Sequence, residues 1–81
     1  MKLPRDVSGE DLASTLRRFG YEIARQTGSH IRITSKFKGT AHHVTIPAHR
    51  RLKIGTLADI LSDVASYLDL PREELIRALF G

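Results

Sequence analysis

The chain has 81 residues, 41% of them apolar and 27% charged, with a formal net charge of +4. These totals describe one small globular domain over residues 1–81 and exclude disordered and fibrous classes. Without cysteine there are no disulfides or thiolate metal sites, and without a secretory apolar segment or a run near 18 apolar residues the expectation is a cytoplasmic protein off the membrane.

Charge is unevenly spread. From Ile23 to Ala58 there is no Asp or Glu, while Arg25, Arg32, Lys36, Lys38, Arg50, Arg51 and Lys53 and all four histidines fall there. The first 22 residues balance to zero and those from Asp59 onward sum to −3. A segregated positive field of this kind attracts polyanions, nucleic-acid phosphates above all.

In chain order, Met1–Asp6 is a short basic lead-in that either pairs along a sheet edge or stays in solvent. Ser8 with Asp11 three residues on, and Val7 before them to staple onto Leu12, read as the start of a first helix. Leu12, Ala13, Leu16 and Phe19 give it an apolar side, and Gly20 ends it. Tyr21–Gln26 reads as a strand with Tyr21 and Ile23 on one face and Glu22, Ala24 and Gln26 on the other. Thr27-Gly28-Ser29 is short enough to force an antiparallel hairpin, with Gly28 free to take a positive φ.

The second strand turns Ile31 and Ile33 to the core, which leaves His30, Arg32 and Thr34 on the opposite face. After a basic glycine-containing loop, His42–Ile46 forms a third strand that buries Val44 and Ile46, turns His43 and Thr45 outward and ends at Pro47. Ala48–Lys53 is a basic connector. A second helix is expected to open at Gly55-Thr56, with Thr56 and Asp59 as a capping box, and to bury Leu57, Ile60, Leu61, Val64, Ala65 and Leu68. Pro71 suits the first turn of a further short helix, with Leu75, Ile76, Leu79 and Phe80 on its apolar side. The fold expected is α+β, α-β-β-β-α, with helices on one face of a three-stranded antiparallel sheet and the other face wet.

His42 and His43 are adjacent in a strand and so diverge, and no cysteine or carboxylate cluster completes a metal set. Nothing acidic near His30 could orient it in a Ser-His-Asp arrangement, and no glycine-rich phosphate loop is present. Histidine exchanges protons near neutral pH, and RNA carries its own nucleophile in the 2′-OH. One histidine with arginines or lysines to offset phosphate charge therefore suits RNA cleavage. A turn histidine bonded only to backbone is the structural alternative.

Gly28-Ser29-His30, Val44-Thr45-Ile46-Pro47 with His49, and Gly55-Thr56-Leu57, in that order, resemble the HicA (YcfA-like) messenger-RNA interferase toxins. So do the opening Leu3–Gly9, Asp63-Val64-Ala65 and Leu70–Leu75, so the likeness covers almost the whole chain. The resemblance implies a fold like the double-stranded-RNA-binding domain, metal-independent RNA cleavage without a cofactor, His30 as the catalytic residue, and inhibition by a HicB-type antitoxin. Where many members carry a second polar residue after that histidine, this chain has Ile31, which strand parity sends into the core. The combined expectation is a ribonuclease toxin, monomeric within a hetero-oligomeric complex with its antitoxin. In it Gly28 and Ser29 set His30, and Arg32, Lys36, Lys38, Arg50, Arg51 and Lys53 hold RNA; His43, His49 and solvent are open as second proton carrier. The alternatives are a non-catalytic RNA-binding module of the same shape and a helix-turn-helix DNA binder. The acidic second and third helices argue against the latter.

Overall fold

The computed structural model describes residues 3–81; Met1 and Lys2, the start of the basic lead-in, lie outside the described residues. Ser8 caps helix α1, Gly9–Thr15, its hydroxyl accepting from the Asp11 amide at 3.0 Å. The first helix then tightens into a 3-10 turn over Leu16–Phe19, where a single α-helix was expected, and Gly20 ends it at φ 84°. Strands β1, Tyr21–Gln26, β2, His30–Ser35, and β3, His42–Pro47, follow, then helices α2, Ile54–Leu68, and α3, Arg72–Phe80. The order is the expected α-β-β-β-α with an added C-terminal helix.

The sheet is antiparallel throughout with β2 in the centre. Ile31, Ile33, Val44 and Ile46 are buried on one face beneath α1 and α2, and α3 packs on α2. All six expected apolar positions of α2 are buried, as the 3.6-residue period requires. The molecule measures 31 × 30 × 17 Å, its short dimension fitting one sheet and one helical layer.

Several local expectations are corrected. Ile23 faces the core side opposite Ile33 but is 48% exposed, because the helical layer stops at Tyr21 on this outer strand and Glu22–Gln26 are all exposed. Ala24 is then an extra residue: Ile23 pairs with Ile33 and Arg25 with Arg32, a bulge that reverses the alternation and places Gln26 opposite Ile31 rather than with Glu22. Helix α2 starts at Ile54 with Lys53 in the cap position and no side-chain cap. The Leu57 amide already bonds the Lys53 carbonyl, so Thr56 lies inside the first turn. Pro71 stands just before α3, its carbonyl accepting from the Glu74 and Leu75 amides.

The described part of the lead-in joins no strand. Its last residue, Asp6, pairs with Arg51 of the connector after β3, and just beyond it the Leu52 amide donates to the Val7 carbonyl at 2.8 Å and the Gly9 amide to the His49 carbonyl at 2.9 Å. A Cβ on Gly9 would collide with the Pro47 carbonyl, so α1 can approach this segment only with glycine there. Gly9→Ala is therefore expected to destabilise the fold by about 1–3 kcal/mol, as forced overpacking does. Gly55→Ala meets open space in the first turn of α2 and should stabilise by up to about 1 kcal/mol. Chemical denaturation of both variants checks the opposite signs.

Candidate active site

Thr27, rather than Gly28, shapes the turn that presents His30. The Thr27 amide donates to the His30 carbonyl at 2.9 Å, and its hydroxyl accepts from the His30 and Ser29 amides at 3.1 and 3.3 Å. Among the described residues the positive-φ glycines are Gly20 and Gly39, so the left-handed conformation expected of Gly28 is not used. Nothing lies within 4 Å of a Cβ there, which leaves the backbone beside His30 open to an approaching ligand. The Ser29 hydroxyl lies 3.0 Å from His30 Nδ1, so the two side chains adjacent in sequence do meet. The Ala48 amide, donating to Ser29 at 2.9 Å, extends the β2–β3 ladder past the His30–Pro47 pair.

His30 and Arg32 are exposed and Thr34 partly so, all on the uncovered face, beside Thr45 and His43 of β3. His43 pairs with Thr34, its Nδ1 2.8 Å from the threonine hydroxyl. That is four residues along β2 from His30, about 13 Å at the rise of a strand. His49 is nearer in the fold, one residue past the Ala48–Ser29 bond.

The basic residues expected to act together are divided. Arg50, Arg51 and Lys53 follow the end of β3 that pairs with His30, whereas Lys36 and Lys38 follow Ser35 at the opposite end of the sheet. Lys38 pairs with Asp69 at 3.0 Å and Arg51 with Asp6 at 3.1 Å, both on the surface. The bulge, for its part, brings Arg25 onto the uncovered face opposite Arg32, and alternation along β1 had missed this.

A second polar cluster, also missed, occupies the end of the sheet away from His30. His42 faces the helices, with the Tyr21 hydroxyl 2.6 Å from its Nδ1, Asp63 3.2 Å from its Nε2, and the Tyr67 ring stacked on it at 4.6 Å and 12°. Tyr67 donates to the Thr40 carbonyl at 2.6 Å and accepts from the Lys38 amide at 3.0 Å, fixing the β2–β3 loop. Tyr21 is 1% exposed and His42 partly buried, while Asp63 lies at the surface, so the cluster ties β1 and β3 to α2 and serves as a brace. Its sequence trace is slight: Asp63 and Tyr67 stand one turn apart on α2. His42 and His43 turn to opposite faces, and among the described residues no three His, Asp or Glu side chains form a metal-binding group.

An open antiparallel sheet helix-covered on one side, with a histidine and arginines on the other, defines an α+β domain like the double-stranded-RNA-binding domain. The family model for the HicA toxin of bacterial toxin–antitoxin systems matches residues 9–65. The chain belongs to the HicA family, the toxin member of a toxin–antitoxin system, with an antitoxin as partner. Comparisons with curated proteins and with solved structures gave no match. Among the described residues no helix is long and apolar enough to cross a membrane.

Burial, then the neighbouring Tyr67 and Asp63, hold the Tyr21 hydroxyl well above the ordinary tyrosine range. The folded state keeps this proton where the unfolded chain releases it, so the associated stability is complete below about pH 10 and is lost as pH rises beyond that. Denaturant titrations at pH 9 and 11 should show a steeper alkaline loss for the natural protein than for Tyr21→Phe.

Proposed function

We propose that the protein is a metal-independent endoribonuclease toxin that cleaves messenger RNA in the cytoplasm and is neutralised, as a monomer within a hetero-oligomeric complex, by a HicB-type antitoxin. The observation that carries this reading is the exposed His30 ring on the uncovered sheet face, with Ser29 Oγ 3.0 Å from Nδ1 and Nε2 left for a substrate. Membership of the HicA family supports the same conclusion.

In the reaction, Nδ1–H donates to Ser29 Oγ and fixes the tautomer in which Nε2 holds a lone pair. Nε2 removes the proton of the RNA 2′-OH, whose oxygen attacks the adjacent phosphorus as the bond to the 5′-oxygen breaks. The leaving 5′-oxygen takes a proton from water, the imidazolium returns its own to solvent, and the products are a 2′,3′-cyclic phosphate and a 5′-hydroxyl end. Arg32 offsets charge on the phosphoryl oxygens at the scissile bond. Arg50, Arg51 and Lys53 hold the flanking strand, and Lys36 and Lys38, about 17 Å farther along the sheet, reach more distant phosphates. Gly28 keeps the approach clear.

His30→Ala should lower RNA cleavage by the purified protein at least about 100-fold, as loss of a general base does. RNA binding and melting temperature should stay close to those of the natural protein, and a chelator should change nothing. Ser29→Ala should give a smaller loss. Full activity in His30→Ala would remove the histidine from the mechanism, and salt-sensitive binding with no product from the natural protein would identify a non-catalytic RNA-binding module.

A further inference from the structure

We infer that Arg25 and Arg32 form a paired guanidinium site for the phosphodiester group presented to His30, with Arg25 brought there by the β1 bulge. The inference rests on the ribonuclease reading for its substrate but on separate observations for its geometry. Arg25 and Arg32 are direct cross-strand partners, and β2 alternation puts Arg32 on the face of His30, two residues away and so about 7 Å along the strand. Regular alternation in β1 would have sent Arg25 to the face of Tyr21 and Ile23. The extra residue at Ala24 breaks that pattern, and bulges commonly re-aim a side chain beside a functional site.

Two cations directly opposite one another in a sheet destabilise it. Neither arginine has a carboxylate within 4 Å among the described residues, whose ion pairs are Lys38–Asp69, His42–Asp63 and Arg51–Asp6. Glu22, the acidic residue on the same face of β1, is opposite Thr34 and outside ion-pair distance. The repulsion is therefore left unrelieved within the chain, and an anion bound between the two would relieve it. Guanidinium forks match phosphoryl oxygens in pairs, and their charge is best used where negative charge grows as the 2′-oxygen attacks. Arg25 thus completes with Arg32 and His30 a triangle on one open face, close to the Gly28 backbone, which has free space beside it.

The test exploits a sign that a structural role would not produce. In low salt, Arg25→Thr should melt about 2–5 °C above the natural protein because the like-charge pair is gone, and the gain should shrink near 0.5 M salt. The same variant should lose most of the stabilisation that added inorganic phosphate gives the natural protein, and its kcat for RNA cleavage should fall at least about tenfold. Arg25→Lys, which keeps the charge but not the fork, should melt like the natural protein and still lose kcat. Arg17→Thr, on the exposed 3-10 turn, controls for net charge. A natural protein that fails to cleave RNA but shows the Arg25-dependent phosphate response would sink the ribonuclease reading and keep the anion site. Cleavage and phosphate response in Arg25→Thr equal to those of the natural protein, or a lower melting temperature in low salt, would overturn the paired site itself.

Discussion

The two-residue alternation of β2 is the constraint on which the rest of the molecule depends. As the central strand it is bonded on both sides, so it cannot shift without breaking two ladders. Its odd-numbered residues, Ile31, Ile33 and Ser35, close the core, while His30, Arg32 and Thr34 stay in water or near it. A slip of one residue would exchange the two sets and bury an arginine without a partner, at a cost far above any packing gain. Apolar burial and the presentation of the histidine are therefore one requirement met by one strand. Ile31, directly after the histidine, falls on the core side and is fully buried.

From that strand outward, legibility followed how local the cause was. The α2 stripe, the inward faces of β2 and β3, and the glycine stop at Gly20 come from spacing and single-residue preferences, and the structure has them as expected. The bulge at Ala24 has no compositional mark, since any small residue can be the extra one, so the direction of Arg25 was out of reach. At the start of α2, Thr56 and Asp59 fit a capping pattern, but backbone bonding to Lys53 begins the helix earlier. The turn before His30 is held by the Thr27 hydroxyl rather than by a left-handed Gly28, and the brace around His42 joins residues 42 positions apart from Tyr21 to Asp63. Long-range partners of this kind are fixed by topology, which the linear pattern specifies only as a class.

The two ends of the sheet are held by different means. At the far end, the Tyr21–His42–Asp63 chain and the Tyr67 contacts to Thr40 and Lys38 satisfy the polar groups of β1, β3, α2 and the β2–β3 loop. At the near end, backbone bonds strap the start of α1 to the connector, and Gly9 allows the close approach. The near end therefore keeps its side chains largely free. His30 is tied by one hydroxyl, and the connector cations apart from Arg51 have no ion pair among the described residues. Support comes from the backbone and leaves the chemistry-bearing groups available.

This division bears on how a toxin of this architecture can be restrained. The uncovered face carries two facing arginines and an exposed histidine, so a partner that laid carboxylates across it would offset the same charges that a bound phosphate would. Covering the face would also exclude the substrate, with no rearrangement of the packed layer beneath. Inhibition by occlusion is thus compatible with a domain this small, built on a single core cluster. Inhibitor and substrate would then compete for one set of charges, and raising the salt concentration would weaken the hold of both, because their shared attraction is the surface-exposed part of the field.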